Sequence, residues 1–235
     1  MISRYSRPEM RAIWTDENKL QIWLQIELLA SEALVAEGIV PGTDFNRVKA
    51  GAEYFAAHPA ELVERQKELE KTLNHDVIAF TTAVAEKIDH PASRWLHFGL
   101  TSSDIVDTAL AVQMVQSAGI LVADAKELRN AIARRAREHM LTPCIGRSHG
   151  IHAEPTTFGL KLALMYDEFG RAQERLERAR EVAGVGKLSG AVGTSAADKR
   201  AFVSDKSVTC GSLRKRVARA HYARRALERV VALTR

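Results

Sequence analysis

The side chains best suited to proton-transfer chemistry are histidines that stand beside hydroxyl, amide or carboxyl groups. They occur as Asn74-His75-Asp76, as His97 upstream of Thr101-Ser102, and as Ser148-His149. An imidazole titrates near neutral pH, so it can donate or accept a proton during a reaction. A single histidine is more often a capping or packing residue. Spacing alone therefore leaves both the catalytic and the structural interpretation open.

The run Thr101-Ser102-Ser103-Asp104 has the residue types of a helix start. Hydroxyls and free backbone N–H groups at such a position bind carboxylates and phosphates. The same residues are also ordinary N-caps. Residue type alone favours neither an anion site nor a simple cap.

Two other patterns carry little chemistry. His149 and His152 are three residues apart with Glu154 nearby, but the ligand-rich spacing of a metal site is absent, and we predict no metal. The segment 184–190 resembles a phosphate loop only superficially, because Leu188 takes the position of the Ser or Thr that should follow Lys187. We therefore expect neither a metal nor a nucleotide-phosphate loop.

Long helices must position these groups. Thr15 is a fair N-cap for a helix that runs to about Glu37, with apolar residues at threes and fours. Two shorter helices are predicted near residues 59–71 and 77–88. Two long helices, near 104–139 and 156–183, are separated by a predicted loop at 146–155. The pattern predicts an all-α fold.

Composition narrows the class further. Apolar residues make up 46% of the 235 and charged residues 27%, which favours a buried core. The net charge of +5 comes from the C-terminal segment and does not describe the whole chain. Residues 198–235 hold eleven Lys or Arg and three Asp or Glu, whereas the other residues hold 23 Lys or Arg and 26 Asp or Glu. The two cysteines form no disulfide or zinc pattern, and no signal peptide or membrane span is evident. We expect a cytoplasmic protein.

Several blocks together resemble the adenylosuccinate lyase family of the fumarase/aspartase superfamily. The resemblance covers residues 1 to about 197 in order. Its blocks are Arg4–Met10 with Ile13–Asn18, Asn74–Val77, His97–Thr108, Gly146–Gly159 and Lys187–Thr194. The Thr-Ser-x-Asp block marks only the superfamily, whereas the first block and the His149 block favour adenylosuccinate lyase.

The resemblance implies an architecture. It predicts an N-terminal helical domain at 1–100, followed by part of a central long-helix bundle at 101–197. The Arg-rich tail at 198–235 does not match the family. The family's third helical domain and the rest of its bundle have no counterpart here, so we expect an N-terminal portion whose C-terminal part is missing.

The resemblance also implies an activity. The family releases fumarate from adenylosuccinate, leaving AMP, and from SAICAR, leaving AICAR, by β-elimination without a cofactor. His149 matches the general acid. His75 and His97 match residues that help to bind or orient substrate, and His75, which lies near the acid in the family, is counted with His149 as catalytic. The remaining matched positions are Arg4 and Tyr5 for the nucleotide, Thr101 and Ser102 for the succinyl carboxylate, and Asn74, Asp76 and Ser148 beside the substrate. Ser148 stands where the family usually has Thr.

The sequence departs from the family in one chemical respect. The family's base is a serine in a Ser-Ser-x-Met-Pro-x-Lys-x-Asn loop, which this sequence lacks. Family members are homotetramers whose sites gather residues from three subunits, so we expect a homo-oligomer and a purine nucleotide substrate. The alternative is a non-catalytic helical assembly protein. A nucleic-acid binder using residues 214–235 is disfavoured, because that tail has one aromatic residue and no recognised motif.

Overall fold

The computed structural model describes residues 2–192. Within that range the chain forms seven α-helices, two 3₁₀ helices and one antiparallel hairpin, so the predicted all-α class is confirmed. The predicted tail at 198–235 lies outside the described residues. The α-helices are α1 (Pro8–Ile13), α2 (Asp16–Ala36), α3 (Gly42–Ala57), α4 (Pro59–Leu73), α5 (Asp76–Ile88), α6 (Ser102–Glu138) and α7 (Phe158–Ala183). The 3₁₀ helices are Ser3–Tyr5 and Pro91–Trp95.

Helix α2 begins where the sequence predicts it. The Thr15 hydroxyl accepts a hydrogen bond from the Asn18 N–H at 3.2 Å, which satisfies one free donor of the first turn. Leu20, Trp23 and Leu24 are each at most 2% exposed, so the predicted apolar face is the buried face. Helix α2 contributes these side chains to the hydrophobic core.

Helix α3 is absent from the sequence prediction. Pro and Gly commonly end helices, yet Pro41 is the N-cap of α3, with φ −62° and ψ 134°, and Gly42 is its first residue. Val48 and Phe55 of α3 are buried in the core. The Phe55 carbonyl accepts a hydrogen bond from Gln21 Nε2 at 2.8 Å, which ties α3 to α2.

A two-residue turn joins α4 to α5. Asn74 adopts the left-handed conformation with φ 51°, which asparagine tolerates better than most residues, and His75 is extended. The two helices pack against each other on α2, where Phe80 meets Trp23 edge to face with ring centroids 5.4 Å apart. The turn thus places Asn74, His75 and Asp76 at a helix start above a well-packed core.

The described residues divide into two compact units. The first contains residues up to Met114 and the segment from Gly184 onward, and the second contains Val115–Ala183. Helix α6 contributes its first third to the first unit and the remainder to the second. The domain limits predicted from the sequence stay predictions.

The second unit contains the β-hairpin, and here the predicted loop at 146–155 is wrong. Strands β1 (Pro143–Ser148) and β2 (Ile151–Thr157) pair antiparallel, with Ser148 opposite Ile151. The two turn residues both have positive φ, 50° at His149 and 79° at Gly150, as tight hairpin turns with a right-handed twist require. β1 has no regular alternation and contains Gly146, and Pro155 interrupts the alternation in β2, so the residue pattern favours a loop here.

Helix α6 has a further compositional property. It is long enough, and with a mean hydropathy of 1.6 over its most apolar 18-residue window it is apolar enough, to cross a membrane. Of that window, 44% is buried inside the structure. A core helix of a soluble protein has the same length and composition, so this property by itself does not assign α6 to a membrane.

Candidate active site

His75 uses its two ring nitrogens differently. Nδ1 accepts a hydrogen bond from the Ile78 N–H at 3.3 Å, which caps α5. A nitrogen that accepts carries no proton, so the neutral ring holds its proton on Nε2. Nε2 lies 3.4 Å from Ser102 Oγ, at the start of α6. The imidazole therefore presents a proton-bearing nitrogen to that helix start.

The Asp76 carboxylate lies beside the His75 ring. Asp76 Oδ1 lies 3.5 Å from His75 Nδ1 and also accepts the Val77 N–H at 2.7 Å.

The start of α6 is the second component of the site. Ser102 is the first helical residue, and the Asp104 N–H donates to the Thr101 carbonyl at 2.9 Å. The first N–H groups of a helix have no partner within the helix, and they lie at the positive end of its dipole. With the Ser102 hydroxyl and His75 Nε2 beside them, they form a place suited to a carboxylate.

His97 is held by a buried carboxylate that the sequence analysis did not single out. Glu27 Oε1 lies 2.7 Å from His97 Nδ1, and Glu27 Oε2 accepts the His97 backbone N–H at 2.8 Å. The Glu27 side chain is 1% exposed, and His97 has a positive φ of 61°. Since Glu27 can only accept, Nδ1 carries a proton, and Nε2 is the nitrogen free for chemistry.

Asp104 is a second buried carboxylate, with its side chain 1% exposed. The Lys187 ammonium donates to its Oδ1 at 2.7 Å. Backbone N–H groups of Ser189 and Gly190 donate to the same oxygen, and that of Thr101 donates to Oδ2 at 3.0 Å. The carboxylate thus ties the segment after α7 to the first turn of α6.

The protonation of Asp104 follows from these contacts. Burial by itself raises the pKa of the Asp104 carboxyl, because it disfavours the charged form. The Lys187 ammonium and the N–H groups of Ser189 and Thr101 outweigh that effect and hold the pKa below its usual value. Asp104 is therefore an anion at neutral pH.

The N-terminal residues matched by resemblance lie at the surface of the first unit. The Arg4 guanidinium stacks 4.8 Å from the centroid of the Tyr5 ring, and Tyr5 is 74% exposed. Asn74 Nδ2 donates to the Thr72 carbonyl at 3.3 Å and holds the turn before His75. These side chains are open to a ligand that approaches from solvent.

Ser148 and His149 belong to the second unit. Both are exposed, and His149 is the first residue of the hairpin turn. Positive φ is uncommon for non-glycine residues, but His, like Asn and Asp, is one of the types most often found there, and His149 adopts φ 50°. His149 is therefore an exposed residue in the turn of a two-stranded hairpin.

The sequence identified one half of this arrangement and missed the other. The structure brings His75 and Ser102 together in the first unit, and Lys187 contacts the neighbouring Ser103. Glu27 contacts His97 instead. A signal for Glu27 existed, because it occupies the buried face of α2 in step with Leu20 and Leu24, where an apolar residue belongs. Lys187 lay in a block of the resemblance but had no assigned role.

No metal site accompanies these residues. Within residues 2–192, no group of three or more His, Cys, Asp or Glu side chains is arranged to hold a metal ion. His152 and Glu154, the weak candidates of the sequence, both lie exposed on β2.

A family model described as lyase matches residues 3–231. Among curated proteins, the adenylosuccinate lyase of Bacillus subtilis (strain 168) is 48% identical over 196 residues, which is 83% of this chain and 44% of that protein. The adenylosuccinate lyase of Streptococcus mutans is 45% identical over the same shares. The predicted resemblance is confirmed, and the chain spans less than half the length of these relatives.

A solved structure supports the fold. The fumarate lyase from Mesorhizobium sp. BNC1 superposes with a TM-score of 0.77 at 26% sequence identity. The match covers 95% of this chain and 47% of that one. The arrangement of helices described above is therefore shared with a structure of the same broad class.

Proposed function

The chain belongs to the lyase family whose model matches residues 3–231, and from that premise we propose that it serves an adenylosuccinate lyase-type β-elimination. The reaction releases fumarate from adenylosuccinate, leaving AMP, and from SAICAR, leaving AICAR, in purine nucleotide synthesis. Two relatives at 45–48% identity bear the name of this activity. The observation that carries the proposal is the His75–Ser102 contact at the start of α6, a carboxylate-binding geometry.

His149 is the proton donor in this proposal. A base removes a proton from the carbon beside a substrate carboxylate, the bond from the neighbouring carbon to the purine-side nitrogen breaks, and that nitrogen takes a proton. The exposed His149 ring, held at a strained turn position, has the chemistry and accessibility for the last step. The base would come from a segment that this sequence does not contain.

Substrate binding falls to the first unit. The Ser102 hydroxyl, the Thr101 hydroxyl and the free N–H groups of α6 suit the succinyl carboxylate, with His75 Nε2 beside them. Arg4 suits a phosphate, because a guanidinium binds it in a forked geometry. His97 contributes through Nε2. No step of this scheme needs a cofactor.

The assembly is part of the same proposal. We place the chain in the cytoplasm as a homo-oligomer, a tetramer by family resemblance, in which neighbouring subunits complete each site. Exposed apolar side chains on both long helices favour such an association. They include Leu110, Met114, Leu121 and Leu128 on α6, and Leu160 and Leu164 on α7.

The same exposed residues favour a second candidate function. A non-catalytic helical assembly protein would keep these apolar faces and show no turnover. Such a protein would associate with a full-length relative but would release no fumarate. The two candidates therefore differ in fumarate release and agree in assembly.

The test measures fumarate released from adenylosuccinate, and separately from SAICAR. The chain is assayed alone and then together with the part of the Bacillus subtilis relative that it does not span. We expect release from both substrates in the complemented mixture only. Complex formation without any release would replace this proposal with the non-catalytic function.

A further inference from the structure

The two adjacent serines at the start of α6 have different surroundings. Ser102 Oγ lies beside the half-exposed His75 ring at 3.4 Å. Ser103 Oγ accepts a hydrogen bond from the Lys187 ammonium at 3.0 Å. One hydroxyl is therefore available to a ligand, whereas the other is engaged by a lysine from a segment 84 residues later in the chain.

Lys187 has no N–H left for a ligand. Its ammonium carries three donors, and each has an acceptor: Ser103 Oγ at 3.0 Å, Asp104 Oδ1 at 2.7 Å and the Gly190 carbonyl at 3.0 Å. Any effect of Lys187 on a bound ligand must therefore pass through these partners.

The partner that matters is the Asp104 carboxylate. It lies buried in the first turn of α6, the same turn whose free N–H groups suit an anionic ligand. The positive end of the helix dipole attracts negative charge at that position. Without a neutralising partner, the Asp104 carboxylate would occupy this favourable field and would also repel a carboxylate ligand. The Lys187 charge cancels that repulsion at a separation of 2.7 Å.

We propose that Lys187 is a positioning residue for dicarboxylate binding. It neutralises Asp104 and holds Ser103 inward, so that the start of α6 offers Thr101 and Ser102 to an anion without opposing charge. This inference rests on the proposed function, and it adds to it a residue that does not touch the substrate.

The backbone allows the side chain to be tested separately. The Thr108 hydroxyl accepts the Lys187 N–H and donates to the Lys187 carbonyl, each at 3.0 Å. Removing the ammonium leaves this attachment in place. The Lys187→Met variant therefore deletes the charge while the segment stays tied to α6.

The experiment titrates fumarate alone into the chain and follows binding by NMR. Lys187→Met should weaken binding about tenfold, the scale expected for one uncompensated charge near an anion at a protein surface. The double variant Asp104→Asn with Lys187→Met removes both charges and should bind within a few-fold of the unaltered chain. Lys49→Met, which breaks an exposed pair with Glu53, is the control and should change nothing.

Each outcome decides a claim. Unchanged binding in Lys187→Met overturns the inference and leaves the proposed function standing. So does a folded double variant that binds as weakly as the single variant, because Lys187 would then act by direct contact. If Lys187→Met does not fold, the double variant decides by comparison with the unaltered chain, and binding about tenfold weaker than that of the unaltered chain overturns the inference. No binding by the unaltered chain sinks the proposed function, and the inference with it.

Discussion

At the scale of single residues, the Glu27 carboxylate determines how His97 is presented. Its two oxygens accept the backbone N–H and the ring Nδ1–H of one residue, and they hold that residue at a positive φ of 61°. Non-glycine residues in that region are strained unless their surroundings fix them. A buried carboxylate on α2 thus fixes the orientation of the His97 imidazole.

Replacing Glu27 with Gln tests this role. Glutamine offers one acceptor oxygen to two N–H donors, so one donor loses its partner inside the protein. We expect the free energy of unfolding, measured by urea denaturation, to fall by about 1–3 kcal/mol. The exposed Glu53→Gln should stay within about 0.5 kcal/mol. A Glu27→Gln variant as stable as the control would show that the carboxylate does not hold His97.

Asp104 makes stability depend on pH in the acid range. Because its pKa is lower in the folded chain than in the unfolded chain, the folded state releases this proton more readily. The stability it contributes is complete above the usual carboxyl pKa of about 3.9 and is lost as the pH falls through the lower folded value.

The corresponding variant is Asp104→Asn. Its midpoint of urea unfolding should vary less between about pH 5 and pH 2 than that of the unaltered chain. Asp107→Asn, an exposed position on the same helix, should keep the original dependence. Parallel curves for the unaltered chain and Asp104→Asn would mean that the Lys187 contact does not stabilise the charged carboxylate.

At the scale of elements, the close approach of α7 to the end of α6 supports the hairpin. A Cβ on Gly159 would lie 2.6 Å from the Ala136 carbonyl oxygen and from the Met140 Cα, which are both rigid backbone. The Gly159 N–H also donates to the His139 carbonyl at 2.9 Å. Only glycine allows the two helix ends to meet at the base of the strands.

Two alanine substitutions distinguish the effect of this close backbone contact on stability from the effect of helix propensity. Gly159→Ala should lower the free energy of unfolding of the second unit by about 1–3 kcal/mol, because backbone must move. Gly119→Ala, also within α6 but with nothing within 4 Å of the new Cβ, should raise it by roughly 0.5–1 kcal/mol. Urea unfolding followed by helical circular dichroism measures both. Equal effects of the two variants would contradict the packing argument.

Local signals predicted the elements that depend on local chemistry. The Thr15 cap and the threes-and-fours spacing located α2. Helix α3 is not predicted because Pro41-Gly42 follows one helix and begins the next. The hairpin is not predicted because Gly146 and Pro155 are disfavoured within strands. The Glu27–His97 and Asp104–Lys187 pairs span 70 and 83 residues, and no local pattern reveals such partners.

At the scale of the whole molecule, both long helices carry several exposed large apolar side chains. Leu160 and Leu164 of α7 are 65% and 67% exposed and lie one turn apart on the same face. Exposed patches of this kind mark interaction surfaces. We expect the chain to associate through them.

Changing both leucines to glutamate should shift the chain toward smaller species in sedimentation velocity. Lys161→Glu changes the charge by the same amount on the same helix and should leave the distribution unchanged. If the control dissociates the chain as strongly as the double variant, charge rather than apolar contact governs the assembly.

The central claim is that the His149 imidazole gives a proton to the departing nitrogen, and one measurement tests it directly. Fumarate release from adenylosuccinate is compared, in the complemented mixture, for the unaltered chain, His149→Ala and His152→Ala. Loss of a general acid costs about 10²–10⁴ in rate, so we predict that His149→Ala falls by that factor while His152→Ala, on the same hairpin, keeps its rate. A His149→Ala rate within a few-fold of the unaltered chain would contradict the account.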